Sequence, residues 1–273
     1  MKMIQEQTPT ERERSDIEKT ASTIEDLQRV SNVPYSREIL SALEDEIGEV
    51  RSFCPDLSWL AASRHLTSRG LIEQLSPEYQ VIEMGAGFSP HGLNYSYRFG
   101  SWTEVDLPHN SKLKERVARR IAPKGKIEFV AGDIYSRDTW ERVMSSLDLS
   151  RPSFIFCEGV VSQYGSEEQK DILVESIGPL IIHPDSRLYI DDTFKNHPEI
   201  SQNPRIQEIM GTLRRSLKRT SYAGMESRTL EDERSRWKAR GLSCQYVPYV
   251  ITSEEFRDIN EKLRGFLLRK NGN

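Results

Sequence analysis

The segment Val81-Ile82-Glu83-Met84-Gly85-Ala86-Gly87-Phe88-Ser89-Pro90 sets an acid two positions before a Gly-x-Gly turn, an arrangement in which a strand ends against a bound nucleoside. Glycines at 85 and 87 let the backbone turn tightly and pass close to a ligand, and Ser89-Pro90 opens a helix. Asp106 adds a second, correlated signal. It closes the strand expected over Ser101 to Val105, about twenty residues on, where a βαβ unit delivers the carboxylate that grips ribose hydroxyls. Ile127 to Val130 then runs into Gly132-Asp133-Ile134, the apolar run from Ser153 ends in Glu158-Gly159, and Arg187 to Ile190 delivers Asp191 and Asp192. Strands that each end in an acid or a glycine suit an open α/β sheet, which binds ligands beyond its carboxyl ends. Asp133 is placed to accept an adenine exocyclic amine and Ile134 to pack on the adenine face. Trp140 either walls that pocket or belongs to the core.

The type of nucleoside follows from what the turn lacks. A dinucleotide fingerprint needs a third glycine so that a pyrophosphate can approach the helix N-terminus. Pro90 occupies that third position, Gly92 falls two residues late, and the chain has no Y-x-x-x-K pair. NAD(P) is therefore the second reading. No Walker A lysine loop is present either. S-adenosylmethionine carries no phosphate and fits better, with its amino-acid end over Gly85 and Gly87 and its ribose on Asp106.

The elements that must position these residues fit one moderate α/β unit of 273 residues. A net charge of −4 gives no nucleic-acid signature, and no apolar run reaches membrane-spanning length. The charged start, Met1 to Arg14, lacks the apolar centre of a secretory signal, so a cytoplasmic location is expected. Cys54, Cys157 and Cys244 lie far apart, as expected of reduced thiols, and neither they nor the five histidines show metal-ligand spacing.

Residues 1–75 read as an N-terminal helical layer beginning near residue 15. Ile17, Ala21, Ile24, Leu27 and Val30 form one stripe, and a second helix is expected over Ser36 to about Val50. These helices could cap the cofactor or form a homodimer surface, and a simple layer on the core is the plainer expectation. Residues 76–192 form the cofactor-binding core and 193–241 a helical cap, with helices near Arg205 to Arg219 and Leu230 to Arg240. Within Gly211 to Arg240, nine Arg or Lys face four Asp or Glu. That excess is a solvated face, or Arg205, Arg214 or Arg215 meets a substrate carboxylate. Residues 242–273 complete the sheet with strands at Cys244 to Val250 and Phe266 to Arg269. A helix is expected between them over Ser253 to Arg264, started by a capping box of Thr252 and Glu255.

Taken together, V-I-E-M-G-A-G-F-S-P (81–90), E-V-D-L-P (104–108) with Lys112 and Lys114, G-D-I (132–134) with Trp140, and C-E-G-V-V-S-Q-Y (157–164) resemble class I S-adenosylmethionine-dependent methyltransferases. Within them the chain looks most like the leucine carboxyl methyltransferase and polyketide O-methyltransferase group, over about residues 60 to 195. The resemblance implies a Rossmann-like sheet with N-terminal helices and a helical cap inserted after the fifth strand. It implies Gly85 and Gly87 along the methionine moiety, Asp106 on ribose, Asp133 and Ile134 at adenine, and Glu158 on the cofactor amino group. Glu83 belongs to the same cofactor-binding motif. Arg64 resembles the arginine that family members place on the cofactor carboxylate, with Arg69 as the other register. The segment after Asp192 does not match a methylating enzyme for a large protein C-terminus, and no N-P-P-Y motif for base methylation occurs. A small carboxylic or 2-oxo acid of specialised metabolism is the expected acceptor.

In-line methyl transfer asks a protein to align nucleophile, methyl and sulfur and to exclude water. A carboxylate nucleophile needs no base, whereas an enolisable carbon does. Tyr164, His91 and Asp192 are the candidates for that catalytic role, with Asp191 and His197 beside them. Two other classes are weighed against this reading: an NAD(P)-linked oxidoreductase, and a non-catalytic Rossmann-like binding module.

Overall fold

The computed structural model describes residues 10–30, 32–52, 55, 58–122, 124–161, 166–191, 204, 207–208, 230–255, 257, 261 and 263–270. Three helices come first, α1 (Glu11–Val30), α2 (Ser36–Ile47) and α3 (Ser58–Glu73). Strands and helices then alternate: β1 (Gln80–Met84), α4 (His91–Tyr95), β2 (Ser101–Asp106), α5 (Pro108–Ile121), β3 (Glu128–Ala131), α6 (Arg137–Met144), β4 (Ser153–Cys157), α7 (Glu167–Ile177) and β5 (Arg187–Asp191). The end of the chain supplies α8 (Leu230–Ala239), β6 (Leu242–Pro248) and β7 (Arg264–Lys270).

The seven strands form one sheet in the order β3-β2-β1-β4-β5-β7-β6. β1 to β5 pair in parallel, and β7 inserts antiparallel between β5 and β6. β1 and β4 are buried along their whole length, which is why they read as continuous apolar runs broken only by Glu83. Alternation divides the two faces. Ile82, Met84, Ile155 and Cys157 join Trp140, Leu173 and Trp237 in one core, and Val81, Phe154 and Phe156 join Ile72 and Trp102 in another.

A third core lies under α1, where Ile17, Ala21, Ile24 and Leu27 pack with Ile39, Leu43, Phe88 and Val117. The expected stripe is thus buried within the chain except for Val30, which is exposed. Any homodimer contact through these helices must use their other faces. α1 starts at Glu11, ahead of the boundary expected near residue 15.

One boundary at the C-terminal end is corrected. Arg264 opens β7 rather than closing a helix, and of 253–263 only part is described. The Thr252 hydroxyl donates to Trp59 O at 2.8 Å and meets Ser63 Oγ at 2.8 Å. It ties the segment to α3, while the helix expected to start here falls largely outside the described residues. Of the segment expected to cap the site, α8 packs against β6 and lies on α7 through a Lys170–Glu233 ion pair at 3.0 Å. Among the described residues no helix is long and apolar enough to cross a membrane.

Candidate functional site

The chain leaves β1 toward β2 and leaves β4 toward β5, so the connections diverge between these two neighbours and open a crevice beyond their carboxyl ends. The glycine turn lines one side of it. Gly85 and Gly87 have φ of 61° and 45°, in the left-handed region that side chains disfavour. A Cβ at 85 would stand 2.5 Å from Val160 Cγ2, and one at 87 would stand 2.5 Å from Thr20 Cγ2. The turn is thus held between the loop after β4 and helix α1. Thr20 had no signal in the motif, since only tertiary packing brings it there.

Asp106 shapes the same turn. Its Oδ2 accepts from Gly87 N at 2.6 Å, while Oδ1 accepts from Leu107 N at 2.7 Å and from Asn110 Nδ2 at 3.0 Å. Each carboxylate oxygen offers two lone pairs, so the group can hold the turn and still accept from a ligand hydroxyl. At the end of β3, Asp133 is exposed and accepts from Tyr135 N at 2.9 Å, and Ile134 is buried. Trp140 is fully buried and donates its indole N–H to Ile134 O at 2.7 Å. It belongs to the core and fixes this turn from behind.

Beneath the turn lies a group of buried charges. Glu83 pairs in register with Glu104 on the neighbouring strand, and both are buried. Lys114 Nζ stands 2.6 Å from Glu104 Oε2 and donates to Ala86 O at 3.2 Å, which links the turn to β2. Gly92, the glycine that falls too late for a pyrophosphate, makes room here: a Cβ on it would lie 2.2 Å from Glu104 Oε1. Burial pushes Glu83 up to about 7, against Lys114 and His91, which favour its ionised form.

Across the crevice, Glu158 Oε1 meets His91 Nε2 at 2.8 Å and accepts from Ser68 Oγ. His91 is fully buried, and the ring of His65 stacks on it with centroids 3.9 Å apart at 14°. Burial opposes charge on both rings. For His91 the carboxylates of Glu158 and Glu83 outweigh it and raise the imidazole above its ordinary value. His65, beside that cation, falls well below. Burial would also raise Glu158, but His91 more than offsets it and holds the carboxyl near about 2. At the end of β5, Asp191 accepts from Gly159 N at 2.6 Å and stands 3.2 Å from Arg64 Nε. Arg69 instead pairs with Glu73 on the surface at 2.8 Å, so Arg64 is the arginine at the crevice.

The sequence-predicted residues Arg64, Glu83, Gly85, Gly87, His91, Asp106 and Glu158 therefore surround one end of the sheet, with Asp133 and Ile134 at the β3 side. Tyr164, Asp192, His197, Arg205, Arg214 and Arg215 lie outside the described residues. Ser68, His65, Asn110 and Asp191's grip on Gly159 were not legible as site features.

His65, His91 and Glu158 bring potential ligand atoms within 4.8 Å of one another. Imidazole lone pairs lie in the ring plane, however, and two nearly parallel stacked rings cannot both aim at one ion about 2.1 Å away. Nor is Ser68-His91-Glu158 a nucleophilic relay. Serine and acid both meet Nε2, whereas Nδ1 has no partner among the described residues.

Neither a family model nor a curated protein matches the sequence. Solved structures do match the fold. A DUF574 family protein from Streptomyces avermitilis is 17% identical with a TM-score of 0.60, covering 94% of this chain and 100% of its own. A putative methyltransferase from Thermobifida fusca is 17% identical at 0.58, covering 94% and 95%. Mitomycin 7-O-methyltransferase MmcR is 12% identical at 0.53, covering 92% and 73%. The shared architecture and the strand order β3-β2-β1-β4-β5-β7-β6 give this chain the class I Rossmann-like methyltransferase fold.

Proposed function

We propose that the chain is an S-adenosylmethionine-dependent methyltransferase acting on a small carboxylate-bearing metabolite, a carboxylic or 2-oxo acid, at oxygen or at an enolisable carbon. The sign of charge around the glycine turn carries this reading. Asp106, Glu158 and Asp191 stand at the carboxyl ends of β2, β4 and β5, so a pyrophosphate would meet carboxylates, whereas a cationic amino acid finds partners. The short α4 has Pro90, which lacks an N–H, at its N-cap, and this weakens the NAD(P) alternative further.

The residues present fit the cofactor. Gly85 and Gly87 leave a cradle that a Cβ would fill, Asp106 would take the ribose hydroxyls, and Asp133 with Ile134 would take adenine. Glu158 would take the amino group, and Arg64, steadied by Asp191, the carboxylate. When bound, the sulfonium supplies an electrophilic methyl group. The protein's part is alignment and exclusion of water, with α1 over Gly87 closing one side. A carboxylate acceptor needs no base. For a carbon acceptor, Tyr164 and Asp192 remain the proposed bases, and His91, being fully buried, is assigned to positioning Glu158.

Incubation with methyl-labelled S-adenosylmethionine and a panel of carboxylic and 2-oxo acids, followed by mild base, tests the reading. Label released as methanol is the expected result and marks an ester. Label retained on the product points to carbon, nitrogen or ether methylation. No labelled product, with no binding of S-adenosylhomocysteine, would sink the proposal. Asp106→Ala should weaken S-adenosylhomocysteine binding at least about tenfold, the scale of one lost charge-assisted hydrogen bond.

A further inference from the structure

Helix α3 serves two sides at once. Trp59, Ser63 and Thr67 recur every fourth residue along one stripe of it, and the chain leaving β6 lies on that stripe. Val250 N donates to Thr67 Oγ1 at 2.9 Å, Thr67 Oγ1 donates to Ser63 O at 2.7 Å, and Thr252 Oγ1 donates to Trp59 O at 2.8 Å. Arg64 and Ser68 occupy the adjoining stripe and face the crevice, Arg64 at Asp191 and Ser68 at Glu158. Tyr249 joins the two sides. Its side chain is buried, and its hydroxyl stands 3.4 Å from Asp191 Oδ2, the same oxygen that lies 3.2 Å from Arg64 Nε. Asp191 Oδ1 accepts from Gly159 N at 2.6 Å. An ionised carboxylate only accepts, so the phenol is the donor. A fully buried carboxylate is thereby held from α3, from the loop after β4 and from the segment after β6.

We propose that Tyr249 is a positioning residue for the cofactor's carboxylate: its hydroxyl keeps Asp191 Oδ2 in place while Arg64 is shared between Asp191 and that carboxylate. This rests on the methyltransferase reading above, with Arg64 on the cofactor carboxylate.

Two carboxylates on one guanidinium compete for it. The N–H donors of the guanidinium lie in one rigid plane, so the edge engaged by Asp191 fixes the direction in which the others point. A ligand carboxylate drawn to Arg64 also repels Asp191, as Glu158 already does. The phenol offsets both effects, because its donor stays on Oδ2 when Arg64 turns toward the ligand. It brings no charge, so it adds no second cation to draw the ligand away from Arg64. Its base is fixed independently of any ligand: Tyr249 N donates to Leu263 O at 3.4 Å, and the next residue is tied to Thr67.

Titration calorimetry at pH 8, where Asp191 is ionised, tests this with two probes. One is S-adenosylhomocysteine, and the other is its decarboxylated analogue, which keeps the adenosine, thioether and amine. Tyr249→Phe should weaken S-adenosylhomocysteine about three- to tenfold, the range of one hydrogen bond, and leave the analogue unchanged within about twofold. Arg64→Gln should remove most of the preference for the carboxylate-bearing ligand, and adding Tyr249→Phe to it should cost S-adenosylhomocysteine no more than about a further twofold. Equal weakening of both ligands by Tyr249→Phe overturns the proposal, since a purely structural tyrosine acts on both alike. So does unchanged affinity for both, or a loss in the Arg64→Gln background as large as in the unmodified protein. If Tyr249→Phe does not fold, 3-fluorotyrosine placed at position 249 decides by fluorine NMR: its signal should move with S-adenosylhomocysteine and stay in place with the analogue, and the same response to both overturns the proposal. An unmodified protein that binds neither ligand refutes the methyltransferase reading itself, an outcome separate from equal effects on the two.

Discussion

Gly85 shows how much a single position can carry. An alanine there must adopt a φ of 61° and place its methyl against Val160, two separate costs of about 1–2 kcal/mol each. Gly85→Ala should lower unfolding stability in urea by a few kcal/mol on that scale and weaken S-adenosylhomocysteine binding more than tenfold. Val160→Ala in the same chain should return only the steric share. Full recovery of both quantities would show that the left-handed backbone costs nothing here. Glycines 85 and 87 and the acids Glu83, Asp106 and Glu158 were readable in the sequence because a tight turn and a cationic ligand restrict which residue types can serve. Thr20, Ser68 and His65 are ordinary helix residues whose roles come from contacts made far along the chain. Their types and spacing carry no mark of the site, and His91 could be named as a site residue but not given its role.

At the scale of elements, the alternation of apolar runs ending in acids and glycines placed β1 to β5 within a residue or two, because strands buried on both faces leave little freedom of composition. Helix α8 was bounded as closely, expected over Leu230 to Arg240 and found over Leu230–Ala239, but what it packs on was not legible. Its sequence carries Glu231, Asp232, Glu233, Arg234, Arg236 and Lys238, the look of a solvated helix, while the single Trp237 joins the core beside Leu242. What holds it is electrostatic as much as apolar. Lys170 and Glu233 are both buried, the Lys170 ammonium lies 5.9 Å from the Trp237 ring, and Arg240 pairs with Asp171 at 2.6 Å and Glu167 at 2.9 Å. Removing one member of a buried pair strands the other charge. Lys170→Met should therefore destabilise the protein by about 3–5 kcal/mol, and Lys170→Met with Glu233→Leu should recover most of that loss. Denaturant melts of the single and double variants check this. No loss in either would show that α8 is held by Trp237 packing alone.

Across the whole molecule, the paired charges under the sheet's carboxyl end make stability depend on pH in a direction opposite to that of a protein dominated by surface ion pairs. Burial raises Glu83 to about 7 and Asp191 to about 6, although Arg64 favours the ionised form of the latter. The folded chain keeps these protons where the unfolded chain, with ordinary carboxyl values of about 4, has released them. Their contribution is complete below that ordinary value and is lost as pH rises through about 6 for Asp191 and about 7 for Glu83. Glu158 runs the other way. Held near about 2 by His91, it favours the fold above the ordinary carboxyl range and stops doing so as pH falls through about 2. Stability should therefore peak on the mildly acidic side and decline toward neutrality. Glu83→Gln keeps the shape and the neutral state of the protonated side chain but has no proton to lose. Its thermal midpoint should match the unmodified protein near pH 5 and exceed it near pH 8, with a flatter decline between. Parallel curves for the two proteins would mean that Glu83 is ionised throughout, and that Lys114 carries the balance of both Glu83 and Glu104.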